Sequence, residues 1–307
     1  MLALLAPGQG AQTSGFLTSW IEDATSHALL QTWSDRIELD LVRLGTLSDA
    51  EEIRETSHAQ PLLVAAGLIS AMQTFAAQNI AFDYYAGHSV GEITAACLAQ
   101  VFDGDSAMTL VNIRARAMSA AATGSHSGMS AVLGGERDVV VAALRALGLT
   151  PANENGGGQI VAAGSLDALA RLAENPPAGA RVRPLQVSGA FHTSVMQPVV
   201  TKLADAAREI TVVNPVAPVI SNRDGAIITG GNELVARIVG QVAGPVRWDL
   251  CMQTLADRGV SGVIEVAPGG TLTGLFKRAQ PGIEVFSIKT PEDIAGAREF
   301  ARNHGGK

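Results

Sequence analysis

Five residues, Gly87-His88-Ser89-Val90-Gly91, constrain this chain more than any other stretch. They fit the pattern G-x-S-x-G. Tyr84 to Gly87 reads as a short strand, and Val90 to Gln100 is rich in helix formers. A serine between a strand and a helix occupies the apex of a sharp turn. Glycines two residues to either side let the backbone reverse there without a clash. The helix then directs the positive end of its dipole at the serine, where negative charge on a reacting carbonyl is stabilised. The same five residues also suit a plain glycine-rich strand-to-helix turn, because short patterns recur by chance.

The rest of the chain repeats the alternation. Leu2 to Ala6 is an apolar run ended by Pro7-Gly8-Gln9-Gly10. A long helix fits His58 to Gln78 with Pro61 in its first turn, and another fits Asp105 to Ala122. The pattern changes near Gly124. Met129 to Leu133, Ile160 to Ala163 and Val182 to Val187 are strand-like, and Glu136 to Leu147 and Leu166 to Ala173 are helical. Strands and helices so closely spaced suggest a small α+β unit. Its flanks are the Gly/Ser-rich Thr123 to Gly128 and the Ser188-Gly189 junction. Further on, helices fit Ser194 to Ile210, Leu234 to Val242, Val246 to Arg258 and Thr271 to Arg278. Strands fit Pro218 to Ile220, Gly262 to Val266 and Glu284 to Ile288, and Asn303 to Lys307 reads as a frayed tail. The expectation is an α/β protein with a mostly parallel sheet. Residues 1–123 and 189–307 form a large discontinuous domain, and 124–188 form an insertion.

Charge and cysteine content narrow the function. Net charge is −7 with no dense Lys/Arg run, which argues against nucleic acid as a partner. Met1 to Ala6 lacks a basic start and is too short to span a bilayer, so it reads as a buried parallel strand. Cys97 and Cys251 lie outside any metal-ligand spacing and inside apolar helical patterns, as buried core thiols do. The expected setting is the cytoplasm, with no membrane attachment and no metal.

A serine needs a base to become a nucleophile. Of six histidines, His27 and His304 fall in surface-like segments, His58 opens a helix, and His126 sits in the Gly/Ser stretch. His88 adjoins Ser89 on a tight turn, where neighbours point apart. His192, in Ser188-Gly189-Ala190-Phe191-His192-Thr193, lies at a strand end before a helix, where α/β proteins gather site residues. Arg114 and Arg116 share a mostly apolar helix but cannot share a face. One is expected to be buried, where a planar guanidinium suits a carboxylate, although an ordinary salt bridge would also account for it.

Further motifs follow in order: Pro7-Gly8-Gln9-Gly10-Ala11-Gln12, the serine motif extended by Glu92, the Arg114 helix, Gly189-Ala190-Phe191-His192, Gln241 with Pro245-Val246, and Glu265-Val266-Ala267-Pro268-Gly269-Gly270. The set resembles the malonyl-CoA:acyl carrier protein transacylases of bacterial fatty acid and polyketide synthesis, from about Leu2 to about Ile288. The resemblance implies an α/β-hydrolase-like core with an inserted ferredoxin-like subdomain. It implies Ser89 as the acylated nucleophile, His192 as its base, and the Gln241 main-chain carbonyl in place of a triad carboxylate. It implies an oxyanion hole from the Gln9 and Val90 N–H groups, and Arg114 as partner of the malonyl carboxylate. His88, Phe191 and Asn155 fall on the substrate side, with Asn153 beside them. Phe191 before the histidine accompanies malonyl rather than methylmalonyl use in such enzymes. Malonyl-CoA and a phosphopantetheinylated acyl carrier protein are the implied substrates, with no cofactor and a monomeric chain. The carrier is expected to be acidic, so Lys277, Arg278, Arg181 and Arg183 are candidate docking cations. A serine esterase or thioesterase would share the turn; the missing triad carboxylate and Arg114 argue against it.

Overall fold

The computed structural model describes residues 1–78, 80–187 and 189–305. Its elements, in order, are β1 (Leu2–Ala6), α1 (Ala24–Ile37), α2 (Leu41–Thr46), α3 (Thr56–Phe75), β2 (Tyr84–Gly87), α4 (Gly91–Leu98) and α5 (Gly104–Ala122). There follow β3 (Ser127–Gly134), α6 (Arg137–Ala146), β4 (Thr150–Gly156), β5 (Gln159–Ser165), α7 (Leu166–Glu174) and β6 (Ala180–Pro184). The chain continues through α8 (Gln197–Arg208), β7 (Val219–Ile220), β8 (Ile227–Ile228), α9 (Gly231–Gln241), β9 (Val246–Arg247) and α10 (Trp248–Asp257). It closes with β10 (Gly262–Glu265), α11 (Thr271–Ala279), β11 (Glu284–Ser287) and α12 (Ile294–His304).

Six strands form one sheet in the order β11-β10-β1-β2-β7-β8, parallel except for β8. Every residue of β1 is buried, as its unbroken apolar run requires of a strand covered on both faces. The chain therefore belongs to the α/β class. α3 is buried on nearly all sides, so its polar members Gln60, Ser70 and Thr74 are enclosed and hydrogen-bonded. It begins at Thr56, which puts Pro61 beyond the first turn.

The second sheet has the order β6-β3-β5-β4-β9. Its first four strands run antiparallel and alternate with α6 and α7 in the sequence β-α-β-β-α-β. Leu144, Leu149, Leu169 and Leu172 fill the layer between those helices and the sheet. The fifth strand comes from far along the chain, where Val246 and Arg247 pair in parallel with Asn153 and Glu154.

Several expectations need correction. β4 was not expected, because Thr150-Pro151-Ala152-Asn153-Glu154-Asn155-Gly156 is polar and lacks alternation. Pairing with neighbours on both sides makes it a strand. The helix expected over Val246 to Arg258 gives up its first two residues to β9. The strand expected over Val182 to Val187 is Ala180–Pro184, and Ser188 lies outside the described residues. The tail does not fray at Asn303: α12 runs to His304, whose ring stacks on Phe300 at 4.4 Å. His304 is accordingly packed, not a surface residue, and its ring lies against Gly262. Residues 306 and 307 are outside the described residues. Cys251 is buried as expected, whereas Cys97 is partly exposed at the margin of the core.

Candidate active site

The turn after β2 forces Ser89 into the left-handed region, with φ of 53°. Such a conformation is strained in a serine and persists only when its surroundings enforce it. A Cβ on Gly87 would lie 2.0 Å from the Gly91 carbonyl oxygen, and one on Gly91 would lie 2.2 Å from that of Ala6. The two glycines thus let β2 and α4 close on each other and on the end of β1. Asn222 fastens the turn: its Oδ1 accepts from the Ser89 N–H at 2.7 Å, and its Nδ2 donates to the Gly87 carbonyl at 2.7 Å.

Ser89 Oγ lies 2.8 Å from His192 Nε2. His192 Nδ1 lies 2.9 Å from the Gln241 carbonyl oxygen. A carbonyl can only accept, so Nδ1 carries the proton and Nε2 presents its lone pair to the serine hydroxyl. His192 also adopts a left-handed backbone, with φ of 60°, and is buried. Burial first, and then the Arg114 cation, push its pKa down to about 3, so the ring is neutral.

Arg114 and Arg116 part company as expected of two residues on different helix faces, Arg114 at 1% exposure and Arg116 in solvent. The Arg114 guanidinium donates to Gln60 Oε1 at 2.5 Å, Gln241 Oε1 at 3.0 Å and Ser89 Oγ at 3.2 Å. Among the described residues its buried Nε has no partner and the guanidinium forms no ion pair. A cation held by neutral amide oxygens is poised for an anion. Burial lowers its pKa to about 10, against the opposing pull of Glu92, so it remains charged.

These groups line a cleft of about 740 Å³ between the two sheets, with Gln9, Val90, His88, Asn153, Asn155 and Phe191 also in its wall. Among the described residues the main-chain N–H groups of Gln9 and Val90 have no hydrogen-bond partner. His88 Nε2 donates to Asn155 Oδ1 at 2.8 Å, linking the large sheet to β4, and burial lowers its pKa. Asn153, on the same strand, also faces the cleft.

The acyl transferase domain family matches residues 5–292. The malonyl CoA-acyl carrier protein transacylase of Mycobacterium tuberculosis is 45% identical over 299 residues, covering 96% of this chain and 98% of that one. The chain is a member of the malonyl CoA-acyl carrier protein transacylase family. The crystal structure of that protein from M. tuberculosis superposes with a TM-score of 0.92 at 44% identity, covering 97% of this chain and 99% of that one. Another solved malonyl-transacylase, in complex with a holo type II polyketide-synthase acyl-carrier protein, reaches a TM-score of 0.91 at 29% identity, covering 97% and 99%. Membership makes the chain an acyltransferase.

Sequence reasoning picks out most of the side chains that meet in this cleft but misses three that hold them. Gln60 holds Arg114; its only signal was a polar residue inside an apolar helix. Asn222 fastens the serine turn; Ser221-Asn222-Arg223-Asp224-Gly225 reads as an ordinary loop. Glu92 is buried and accepts from the Asn222 N–H at 2.5 Å and from Gln241 Nε2. Burial raises its pKa to about 7. Of the candidate docking cations only Arg278 lines the cleft; Lys277, Arg181 and Arg183 are exposed away from it. Among the described residues no helix is long and apolar enough to cross a membrane, and no three acidic, histidine or cysteine side chains cluster as metal ligands do.

Proposed function

We propose that the protein transfers the malonyl group of malonyl-CoA to the phosphopantetheine thiol of an acyl carrier protein, through a malonyl ester on Ser89. The observation that carries this reading is the position of Ser89 Oγ, 2.8 Å from a neutral imidazole nitrogen and 3.2 Å from a buried guanidinium that has no ionic partner among the described residues.

The malonyl carboxylate pairs with Arg114, replacing neutral amide contacts with a charge-assisted pair. Oγ attacks the thioester carbonyl while His192 Nε2 takes its proton, and the Gln241 carbonyl stabilises the resulting imidazolium through Nδ1–H. The Gln9 and Val90 N–H groups receive the oxyanion; each such donor lowers the barrier by about 3 kcal/mol. The intermediate collapses with loss of CoA thiolate, which takes the proton from His192. The carrier thiol then gives its proton to His192 and attacks the ester, and Ser89 regains its hydrogen as it leaves. Two half-reactions sharing one acyl-enzyme give ping-pong kinetics. The scheme calls for no metal or bound cofactor. Phe191, in the wall of the cleft, is the residue assigned to crowding out a methyl branch on the acyl group, favouring malonyl over methylmalonyl.

The finer architecture belongs to the same proposal. The parallel sheet with its serine turn fits an α/β-hydrolase-like core of residues 1–123 and 189–307. The β-α-β-β-α-β unit within 124–188 fits a ferredoxin-like insertion. The chain works as a cytoplasmic monomer in fatty acid or polyketide synthesis.

Incubation with malonyl-CoA followed by intact-mass analysis tests the reading. One malonyl group on Ser89, lost when holo acyl carrier protein is added, is expected. No adduct, or release of free malonate without an acceptor, would refute it. Selectivity gives a second test. An acetyl group leaves Arg114 without its anion, so Arg114→Ala is expected to lower the malonyl-over-acetyl ratio of kcat/KM by roughly a hundredfold or more. A paired assay with both donors reads it directly.

A further inference from the structure

Glu92 takes no part in the chemistry above, yet it is fully enclosed beside it. Its two oxygens each face a donor: Asn222 N–H on Oε1 at 2.5 Å, and Gln241 Nε2 on Oε2. Two donors on two oxygens require that both oxygens accept, which a carboxylate does and an amide does not. The Gln241 amide is thereby held one way round. Its nitrogen serves Glu92 and the Ser89 carbonyl at 3.0 Å, and its oxygen faces Arg114 at 3.0 Å.

Arg114 can only donate and a carboxylate can only accept. The amide between them satisfies both and keeps them apart. Direct pairing of Glu92 with Arg114 would fill the guanidinium fork that a substrate anion needs. Held one amide away, the carboxylate offsets part of the buried cation's charge and leaves the fork open.

We propose that Glu92 is a positioning residue which, through the Gln241 side chain, keeps the Arg114 guanidinium beside Ser89 and open to a substrate carboxylate. This rests on the reading of Arg114 as the partner of the malonyl carboxylate.

The substitution Glu92→Gln tests it at nearly constant shape. The Asn222 N–H is main chain and cannot turn, so the new amide keeps its oxygen there. Its NH₂ then meets Gln241 Nε2, and the Gln241 amide turns over and presents N–H groups to Arg114. The malonyl-over-acetyl ratio of kcat/KM is expected to fall about tenfold or more, mainly through KM for malonyl-CoA. Glu92→Asp, which keeps two accepting oxygens, is expected to restore part of that ratio. An unchanged ratio in Glu92→Gln overturns the proposal. So does an equal loss for both donors accompanied by a lower Tm, which would mark Glu92 as a support for Asn222 alone. Should Glu92→Gln not fold, Gln241→Leu carries the test, since it keeps the carbonyl on His192 and removes the amide. The ratio falls in that variant if the proposal holds, and an unchanged ratio overturns it. Arg114→Ala, assayed in parallel, separates the two ideas. If its ratio is unchanged, the carboxylate reading itself fails. If its ratio falls while that of Glu92→Gln does not, only the role of Glu92 fails.

Discussion

His192 is uncharged because its ring is buried and faces a guanidinium, and both influences oppose a second proton. An imidazole already deprotonated has no reason to titrate near the usual histidine value. Phosphonylation of Ser89 by an uncharged fluorophosphonate reads the base without involving a substrate carboxylate. Its rate is expected to stay level as pH falls from about 8 to about 5, with no inflection near 6.5. Removing the cation in Arg114→Ala relieves part of the depression, so the acid limb of that variant moves to higher pH. A stopped-flow pH series on both proteins checks the level region and the direction of the shift. At this scale the sequence exposed three side chains that meet in the cleft and hid the groups that hold them. Ser89 sat in a recognisable pentapeptide, His192 survived elimination, and Arg114 stood out as a charge in an apolar helix. Gln60 and Asn222 carry no such mark. A neutral amide suits surface, loop and core alike, and only the three-dimensional arrangement reveals what it touches.

Among the elements, α11 shows how a remote carboxylate can hold a wall of the cleft. Glu265 ends β10, and its oxygens accept from the main-chain N–H groups of Gly270, Leu272 and Thr273 at 2.8 to 2.9 Å, and from Thr273 Oγ1 at 3.0 Å. It satisfies the donors that a helix start leaves open, from a position five residues before the helix cap. Glu265→Gln sets an NH₂ against one of those donors and is expected to lower stability by about 2 kcal/mol. A urea midpoint shift with unchanged slope would show it. Elements with a strong apolar period were legible: β1, α5, α6, α7 and α11 lie close to where periodicity puts them. β4 was hidden because its polar residues gain their order from β5 and β9, which are not its neighbours in sequence. β9 was absorbed into the expected α10, since two residues carry too little pattern to set a strand apart.

For the molecule as a whole, a net charge of −7 opposes the approach of an acidic carrier protein. Exposed Arg278 on the cleft wall would, under the proposed function, offer a local attraction beside the cleft that the carrier's thiol has to reach. Arg278→Glu is expected to raise KM for the carrier protein several-fold at low ionic strength, with little effect above roughly 0.5 M salt, because screening shortens the reach of surface charge. A salt series of carrier-dependent transfer rates checks it. Large-scale organisation was legible as alternating strands and helices interrupted near Gly124. How the two sheets are joined was not, because the joints form between residues far apart in sequence: His88 with Asn155, and the Arg247 N–H with the Asn222 carbonyl at 2.7 Å.

The pairing of β9 with β4 bears on how evolution or an engineer can trade parts of this enzyme. A fragment cut at 124 and 187 would leave the outer edge of β4 bare, and bare edges recruit foreign strands. Chimeras that exchange the small sheet between relatives should therefore carry Val246 and Arg247 as well. Since that dipeptide lies only a few residues past Gln241, any such graft also resets the carbonyl that holds the His192 ring, and under the proposed function acyl preference and turnover would be inherited together.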